Sequence, residues 1–137
     1  MTCKDLMVGD YVTLSANTNA RMQVVSIMPM IINTVELADI DNHGAIDEYP
    51  VEALSGIPIT PEILMKSGWF WDTKCAKVNH DERFVLEYYP QEGTLKDVYY
   101  LKSGDNCDVF KSKPGLIYLH QLQHAMRLCN IEKDITL

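Results

Sequence analysis

The chain has 137 residues, of which 47% are hydrophobic, and this allows one compact domain or two small ones with an apolar core. No apolar run approaches the about 20 residues that span a bilayer, and no apolar stretch follows a basic N-terminus, so we expect neither a membrane protein nor a secretory signal. Residues 1–68 hold three basic and nine acidic residues, and they account for most of the net charge of −7. This excess of acidic residues argues against nucleic-acid binding, because phosphates are usually held by clustered Lys and Arg.

The four cysteines are far apart in the chain and form no CxxC pair: Cys3, Cys75, Cys107 and Cys129. Such spacing is typical of reduced thiols rather than of a disulfide framework or a zinc knuckle. The sequence therefore predicts a cytoplasmic protein.

The N-terminal half predicts five short strands. Turn residues separate runs rich in Val, Ile and Met, which lie at residues 11–14, 21–29, 33–39, 45–50 and 56–60. Residues 51–54 fit a single 3₁₀ turn before the last of these strands. This layout predicts an SH3-like small β-barrel over residues 1–60, and the alternative is another five-stranded meander.

A short linking helix is predicted next, where Thr60 suits the N-cap, Pro61 the first helical position and Gly68 a left-handed end. Four candidate strands follow at residues 75–79, 83–89, 97–102 and 107–111, and then a C-terminal helix. The fold class is therefore predicted to be α+β. Residues 61–137 form an antiparallel sheet with one C-terminal helix, as a second domain or as one unit with the first.

Aromatic residues are concentrated in this second half. Trp69 and Trp71 would share one strand face and Phe70 the other, which favours a small core joining the two halves, with a protein-binding patch as the alternative. The adjacent pairs at residues 88–89 and 99–100 place tyrosines on both faces of the sheet. Ordinary strand composition explains them, whereas exposed tyrosines would indicate a recognition surface.

The C-terminal helix has a clear apolar stripe. At 100° per residue, the side chains that fall on one side are Leu119, Leu122, Ala125, Met126 and Cys129. His120, His124 and Arg127 fall on the opposite side, which predicts that all three face solvent or a partner. Asn130 suits the left-handed C′ position, so that Ile131 closes over Met126.

His120 and His124 have the spacing of two metal ligands on one helical face, as in the HExxH motif of zinc hydrolases. Gln121 replaces the glutamate that would act as general base, and no spacing identifies a third ligand, although His80 and Cys107 are candidates. We therefore predict no cofactor and no enzymatic activity. A metal-binding protein or metal-dependent hydrolase that uses His120 and His124 is the alternative.

Three segments carry a resemblance to a known group: "MTCKDLMVGDYV", "GIPITPEILMKSGW" and "YLHQLQHAMRLCNI". They resemble, in order, a family of small uncharacterised proteins from Bacteroidetes genomes, often encoded near prophage or other mobile elements. The last segment also resembles the helix ending of YopX-type phage proteins. The resemblance implies an accessory protein and assigns no catalytic residues.

The sequence thus predicts a non-catalytic interaction module that binds a protein partner or a second copy of itself. Its candidate surface comprises residues of the last helix and two sheet tyrosines: His120, His124, Arg127, Tyr89 and Tyr99. Nucleic-acid binding through the barrel is the remaining alternative.

Overall fold

The computed structural model describes residues 1–28, 33–72, 75–78, 84–103, 115–132 and 134–137, with no side-chain description at 72, 75–78 and 103. Over these ranges the chain is α+β, with antiparallel strands and two α-helices. It divides into two compact units, Met1–Ile57 and Pro58–Leu137, close to the predicted boundary after residue 60. Within the described ranges, neither helix combines the length and the apolar character needed to cross a bilayer.

The first unit contains a five-stranded antiparallel sheet of order β4-β3-β2-β1-β5. Its strands are β1 (Tyr11–Leu14), β2 (Asn17–Met28), β3 (Thr34–Asp39), β4 (Ala45–Pro50) and β5 (Leu54–Gly56). Short 3₁₀ turns lie at Cys3–Asp5 and Val51–Ala53. The strands at residues 11–14 and 45–50 and the 3₁₀ turn were predicted at these positions, whereas β2 begins earlier than expected, because Leu14 pairs with Asn17 across a tight turn.

The closing strand predicted at residues 56–60 is wrong. The last strand of the sheet ends at Gly56, and its residues pair with β1 from Leu54 onward. Pro58 has no N–H to donate to a continued ladder. It forms an isolated bridge with Tyr118, and the Ile59 amide donates to the Ile117 carbonyl at 2.9 Å, both within the second unit.

The core of the first unit is made by one face of this sheet and the N-terminal turn. Its buried residues are Leu6, Val12, Met22, Val24, Val35, Leu37, Val51 and Leu54. Asp10 is also buried, and its Oδ2 accepts the Met7 amide at 2.7 Å, which fixes the turn at Gly9. Strands β4 and β5 are the two ends of the sheet, and no pairing among the described residues joins them, so the sheet is open.

The second unit begins with helix α1 (Pro61–Lys66), whose ends match the prediction. Thr60 Oγ1 accepts the Ile63 amide at 3.3 Å, and Gly68 has the left-handed φ of +85°. Ser67 Oγ donates to the Ile63 carbonyl at 2.7 Å and accepts the Thr136 amide at 2.9 Å. Together with the burial of Ile135, this bond docks the C-terminal tail on the end of α1.

A four-stranded antiparallel sheet follows, of order β6-β7-β8-β9. Its strands are β6 (Trp69–Asp72), β7 (Cys75–Val78), β8 (Phe84–Tyr89) and β9 (Val98–Ser103). The strand predicted at residues 107–111 lies outside the described residues, and the tryptophan segment supplies one edge of the sheet instead. The segment before the last helix continues the pairing, since Leu116 bridges Tyr99. Gly115 is required there, because a Cβ would lie 2.6 Å from Val98 Cγ1 and 2.9 Å from the Tyr99 carbonyl oxygen.

Helix α2 (Leu119–Leu128) ends as the sequence predicts. Asn130 has a φ of +55°, its amide donates to the Arg127 carbonyl at 3.1 Å, and the Ile131 amide donates to the Met126 carbonyl at 2.8 Å. These are the two bonds of a Schellman motif. Leu119, Leu122, Ala125 and Met126 are buried, so the predicted apolar stripe is confirmed.

Candidate functional site

The histidine side of α2 differs from the prediction. His120 is only 5% exposed, His124 is half-buried, and Arg127 alone of the three is exposed. The prediction that all three face outward is therefore wrong for His120. Its ring stacks on that of Tyr118, with centroids 5.8 Å apart and planes 10° from parallel. The first turn of α2 follows directly on the segment that pairs with β9. This turn is therefore buried on its histidine side as well as on its apolar stripe.

The two imidazoles are close to each other, as their spacing requires. Their ring centroids are 6.1 Å apart and their planes are inclined by 74°. Among the residues that the structure describes, no group of three His, Cys, Asp or Glu side chains is arranged to hold a metal ion. The suggested third ligands, His80 and Cys107, lie outside those residues.

Gln121 has a clear role at the helix N-terminus. Its Oε1 accepts the Ile117 amide at 2.8 Å and the Tyr118 amide at 3.0 Å. A Gln or Glu at the third helical position that reaches back to the N-cap is half of a capping box. The residue at the position of the HExxH glutamate therefore holds two backbone amides, and a carboxylate there would accept the same two bonds.

Tyr99 and Tyr89 do not share a surface. Tyr99 is fully buried, 5.1 Å from the ring of Tyr88, and burial raises the pKa of Tyr99 well above its ordinary value. Tyr89 is 43% exposed and pairs with Val98, so it lies on the other face of the sheet. Tyr99 is thus a core residue, and its inclusion in a partner-binding surface is wrong.

The exposed side of the second sheet groups Tyr89 with residues that the predicted partner-binding surface did not include. Strand alternation and register place Tyr89 on one face with Phe70, Val85, Val98 and Tyr100. We call these five residues the outer aromatic face. Phe70 is 56% exposed, and the rings of Tyr89 and Tyr100 meet edge to face at 5.4 Å. The predicted alternation of Phe70 with the tryptophans was the signal available for this surface.

A charged pair lies on the same face. Lys102 forms an ion pair with Glu87, and the Tyr89 hydroxyl also donates a hydrogen bond to Glu87. The Lys102 bond and then the Tyr89 bond lower the pKa of Glu87, and the bond to Glu87 raises the pKa of Tyr89. The Glu87 carboxylate and the ring of Tyr100 both contact Tyr89, which favours one orientation of its exposed ring.

The tryptophan segment contributes mainly to the inner face. Trp69 is buried, and Trp71 meets the ring of Tyr88 edge-on at 5.1 Å while remaining 37% exposed. Tyr88 in turn donates to Asp97 at 2.8 Å, which raises the pKa of Tyr88 and ties the β8–β9 loop to the strand. Phe70 alternates to the outer face, as predicted.

Burial affects the chemistry of one of the two thiols that the structure describes. Cys3 and Cys129 are free and half-buried, and burial raises the pKa of the Cys129 thiol. A raised pKa lowers the thiolate fraction and so the reactivity. The Cys129 thiol is therefore a poor nucleophile at neutral pH.

Comparison with known proteins identifies no relative. No family model, curated protein or solved structure matches the chain.

Proposed function

We propose that the protein is a non-catalytic cytoplasmic interaction module that binds a protein partner through the outer aromatic face. The observation that carries the proposal is the exposure of Phe70 and Tyr89 on a regular sheet face, with Tyr89 oriented by Tyr100 and Glu87. Aromatic side chains on a rigid element lose little conformational entropy when a partner covers them.

The surface around these rings has the composition of an interface centre. Half-buried Val85 and Val98 add apolar area, and the charged atoms of Glu87 and Lys102 already pair with each other. A partner that covers Tyr89 therefore meets the Glu87 carboxylate as half of an ion pair rather than as an isolated charge. Binding here is expected to depend on a small number of aromatic contacts, each worth about 2 kcal/mol or more.

The first unit is proposed to be an SH3-like barrel. The order β5-β1-β2-β3-β4 and the single 3₁₀ turn before the last strand support this topology, and closure of the open sheet is the remaining requirement. The resemblance to small mobile-element proteins of Bacteroidetes supports an accessory role, in which a small module engages a larger protein.

Metal binding at His120 and His124 is the second candidate, because their rings adjoin on one helical face. It is tested by zinc titration of the purified protein and of His124→Ala. One equivalent of tightly bound zinc in the wild type, lost in the variant, would favour it over the interaction module.

The interaction module is tested with Phe70→Ser/Tyr89→Ser. The matched control is Leu95→Ser/Leu128→Ser, which removes two exposed apolar side chains elsewhere on the second unit. We expect the outer-face variant to lose capture of a partner from cell extract, or self-association in sedimentation velocity, by about tenfold or more, while the control binds as the wild type does.

Equal binding by both double variants would contradict the proposal. Circular dichroism of each variant checks that the sheet is intact, and an intact outer-face variant that still binds places the partner elsewhere.

A further inference from the structure

Strand β4 (Ala45–Pro50) is the open edge of the first sheet. In the described part of the chain it pairs with β3 alone. The side chains of Ala45, Ile46, Asp47 and Glu48 are all exposed, so this part of the strand is uncovered on both faces, while Tyr49 packs against the core. Its outer edge therefore presents backbone N–H and C=O groups that an added strand would satisfy.

Among the residues that the structure describes, no cation pairs with the carboxylates at this edge. Glu48 lies directly opposite Glu36 on the same face, and Asp47 projects to the other face. The three carboxylates at positions 36, 47 and 48 take part in neither the Arg21–Asp41 nor the Glu87–Lys102 ion pair. Like charges directly opposite each other on a sheet are destabilising, so a cation brought to this face would relieve a repulsion.

The same charges decide which occupant fits. If two copies of β4 paired edge to edge, the Asp47 and Glu48 carboxylates of both copies would be brought together, and like charges on an edge oppose such self-association. An extended segment that carries Lys or Arg has the opposite charge and the same backbone complementarity. The edge is therefore selective against a second copy and in favour of a basic strand.

We propose that β4 binds an extended basic segment of a partner protein as an added antiparallel strand. Side chains alternate on the added strand, so a basic residue opposite Glu48 and an apolar residue opposite Ile46 share one face. A second basic residue, between these two, faces Asp47. The preferred pattern is thus two consecutive basic residues followed by an apolar one. This surface lies in the first unit and does not depend on the outer aromatic face.

The probe is a labelled ten-residue peptide of Thr and Val with Lys-Lys-Val at its centre, added to the full chain at low salt in a fluorescence anisotropy titration. A peptide with Glu in place of both Lys tests charge. Two further peptides, N-methylated at alternate backbone nitrogens in the two possible frames, test strand pairing. We expect binding of the Lys peptide, loss with Glu, and loss of about tenfold with one N-methylated frame.

The protein variants separate this edge from general electrostatics. Glu36→Gln/Asp47→Asn/Glu48→Gln is compared with Glu92→Gln/Glu132→Gln/Asp134→Asn, which changes net charge equally at exposed positions of the second unit. We expect about tenfold weaker binding of the Lys peptide by the first variant and less than about twofold change in the second. Amide hydrogen exchange of the wild type is expected to slow at residues 45–49 when the peptide is bound.

No binding of the Lys peptide at low salt would overturn the proposal. So would an equal loss in both triple variants, or equal binding of both N-methylated peptides, which would indicate charge attraction without an added strand. The peptide series uses the wild-type protein, so the proposal stays testable if a triple variant fails to fold.

Discussion

The two compact units of this chain bury similar apolar cores but expose different chemistry. Residues 1–57 carry two basic and eight acidic residues, whereas residues 58–137 carry ten basic and eleven acidic ones. The first unit exposes carboxylates along an open strand that form no ion pair within the described residues, and the second exposes aromatic rings beside an ion pair. Binding at the first surface should weaken steeply with salt, while binding at the second should change little, because it depends on desolvation.

The largest effect is expected from a Leu→Ala substitution in the core of one unit at a time. Leu37 in the first unit and Leu122 in the second are both fully buried, so replacement by Ala should cost about 2–5 kcal/mol of unfolding free energy in each case. Both tryptophans lie in β6, so their fluorescence reports the second unit. We expect Leu122→Ala to lower the tryptophan-detected denaturant midpoint and Leu37→Ala to leave it unchanged, while circular dichroism detects both.

Leu128→Ala and Ile46→Ala are the matched controls, since these side chains are 77% and 57% exposed. Each should change stability by less than about 0.5 kcal/mol. If Leu37→Ala moves the tryptophan midpoint as far as Leu122→Ala does, the two units unfold together and cannot be compared as independent domains.

A smaller effect is expected at the N-terminus of α2, within the second unit. Gln121→Ala removes the acceptor of two backbone amides and should cost about 1 kcal/mol in the tryptophan-detected transition. Gln121→Glu keeps the acceptor and places a negative charge near the positive end of the helix, so it should be neutral or stabilising by a few tenths of a kcal/mol.

Gln121→Glu also tests whether the histidine pair binds metal, because it completes the HExxH motif. We expect no gain in zinc binding by isothermal titration, since the carboxylate is occupied by the Ile117 and Tyr118 amides. One equivalent of zinc bound by Gln121→Glu and not by Gln121→Ala would show that this position serves a metal centre.

Local signals in the sequence were reliable wherever a few neighbouring residues decide the conformation. Thr60, Gly68 and Asn130 end or begin helices because of hydrogen bonds and φ angles within one turn, and the structure confirms each. The antiparallel strands of both units were also largely predictable, since alternation of apolar and polar residues follows the pleat.

The sequence alone does not show which residues cover each face of a helix or sheet. A helical wheel finds the apolar stripe of α2, but it cannot show that Tyr118 covers His120 as well. Alternation separates Tyr89 from Tyr99 correctly only after register is known, and register depends on partners distant in the chain. The acidic edge likewise emerges from the pairing of Glu36 with Glu48, which no local pattern reveals.

The smallest expected effect is the difference between the two ion pairs in how their contribution to stability depends on pH. The lowered pKa of Glu87 means that its charged form stabilises the folded state above the ordinary value of 4.5, and that this contribution is lost as pH falls through the lower, folded-state pKa. Glu87→Gln should therefore cost about 0.5 kcal/mol at pH 7 in tryptophan-detected urea unfolding, with the difference shrinking below pH 4.5.

The Arg21–Asp41 pair also lowers the pKa of Asp41. Its two side chains are 40% and 50% exposed, whereas those of Lys102 and Glu87 are 19% and 27% exposed. Solvent screens the more exposed pair, so Asp41→Asn, followed by circular dichroism, should show a smaller dependence on pH. If Glu87→Gln lowers the free energy of unfolding equally at every pH, the side chain stabilises the sheet by packing. The ion pair of the second unit would then contribute no more to stability than that of the first.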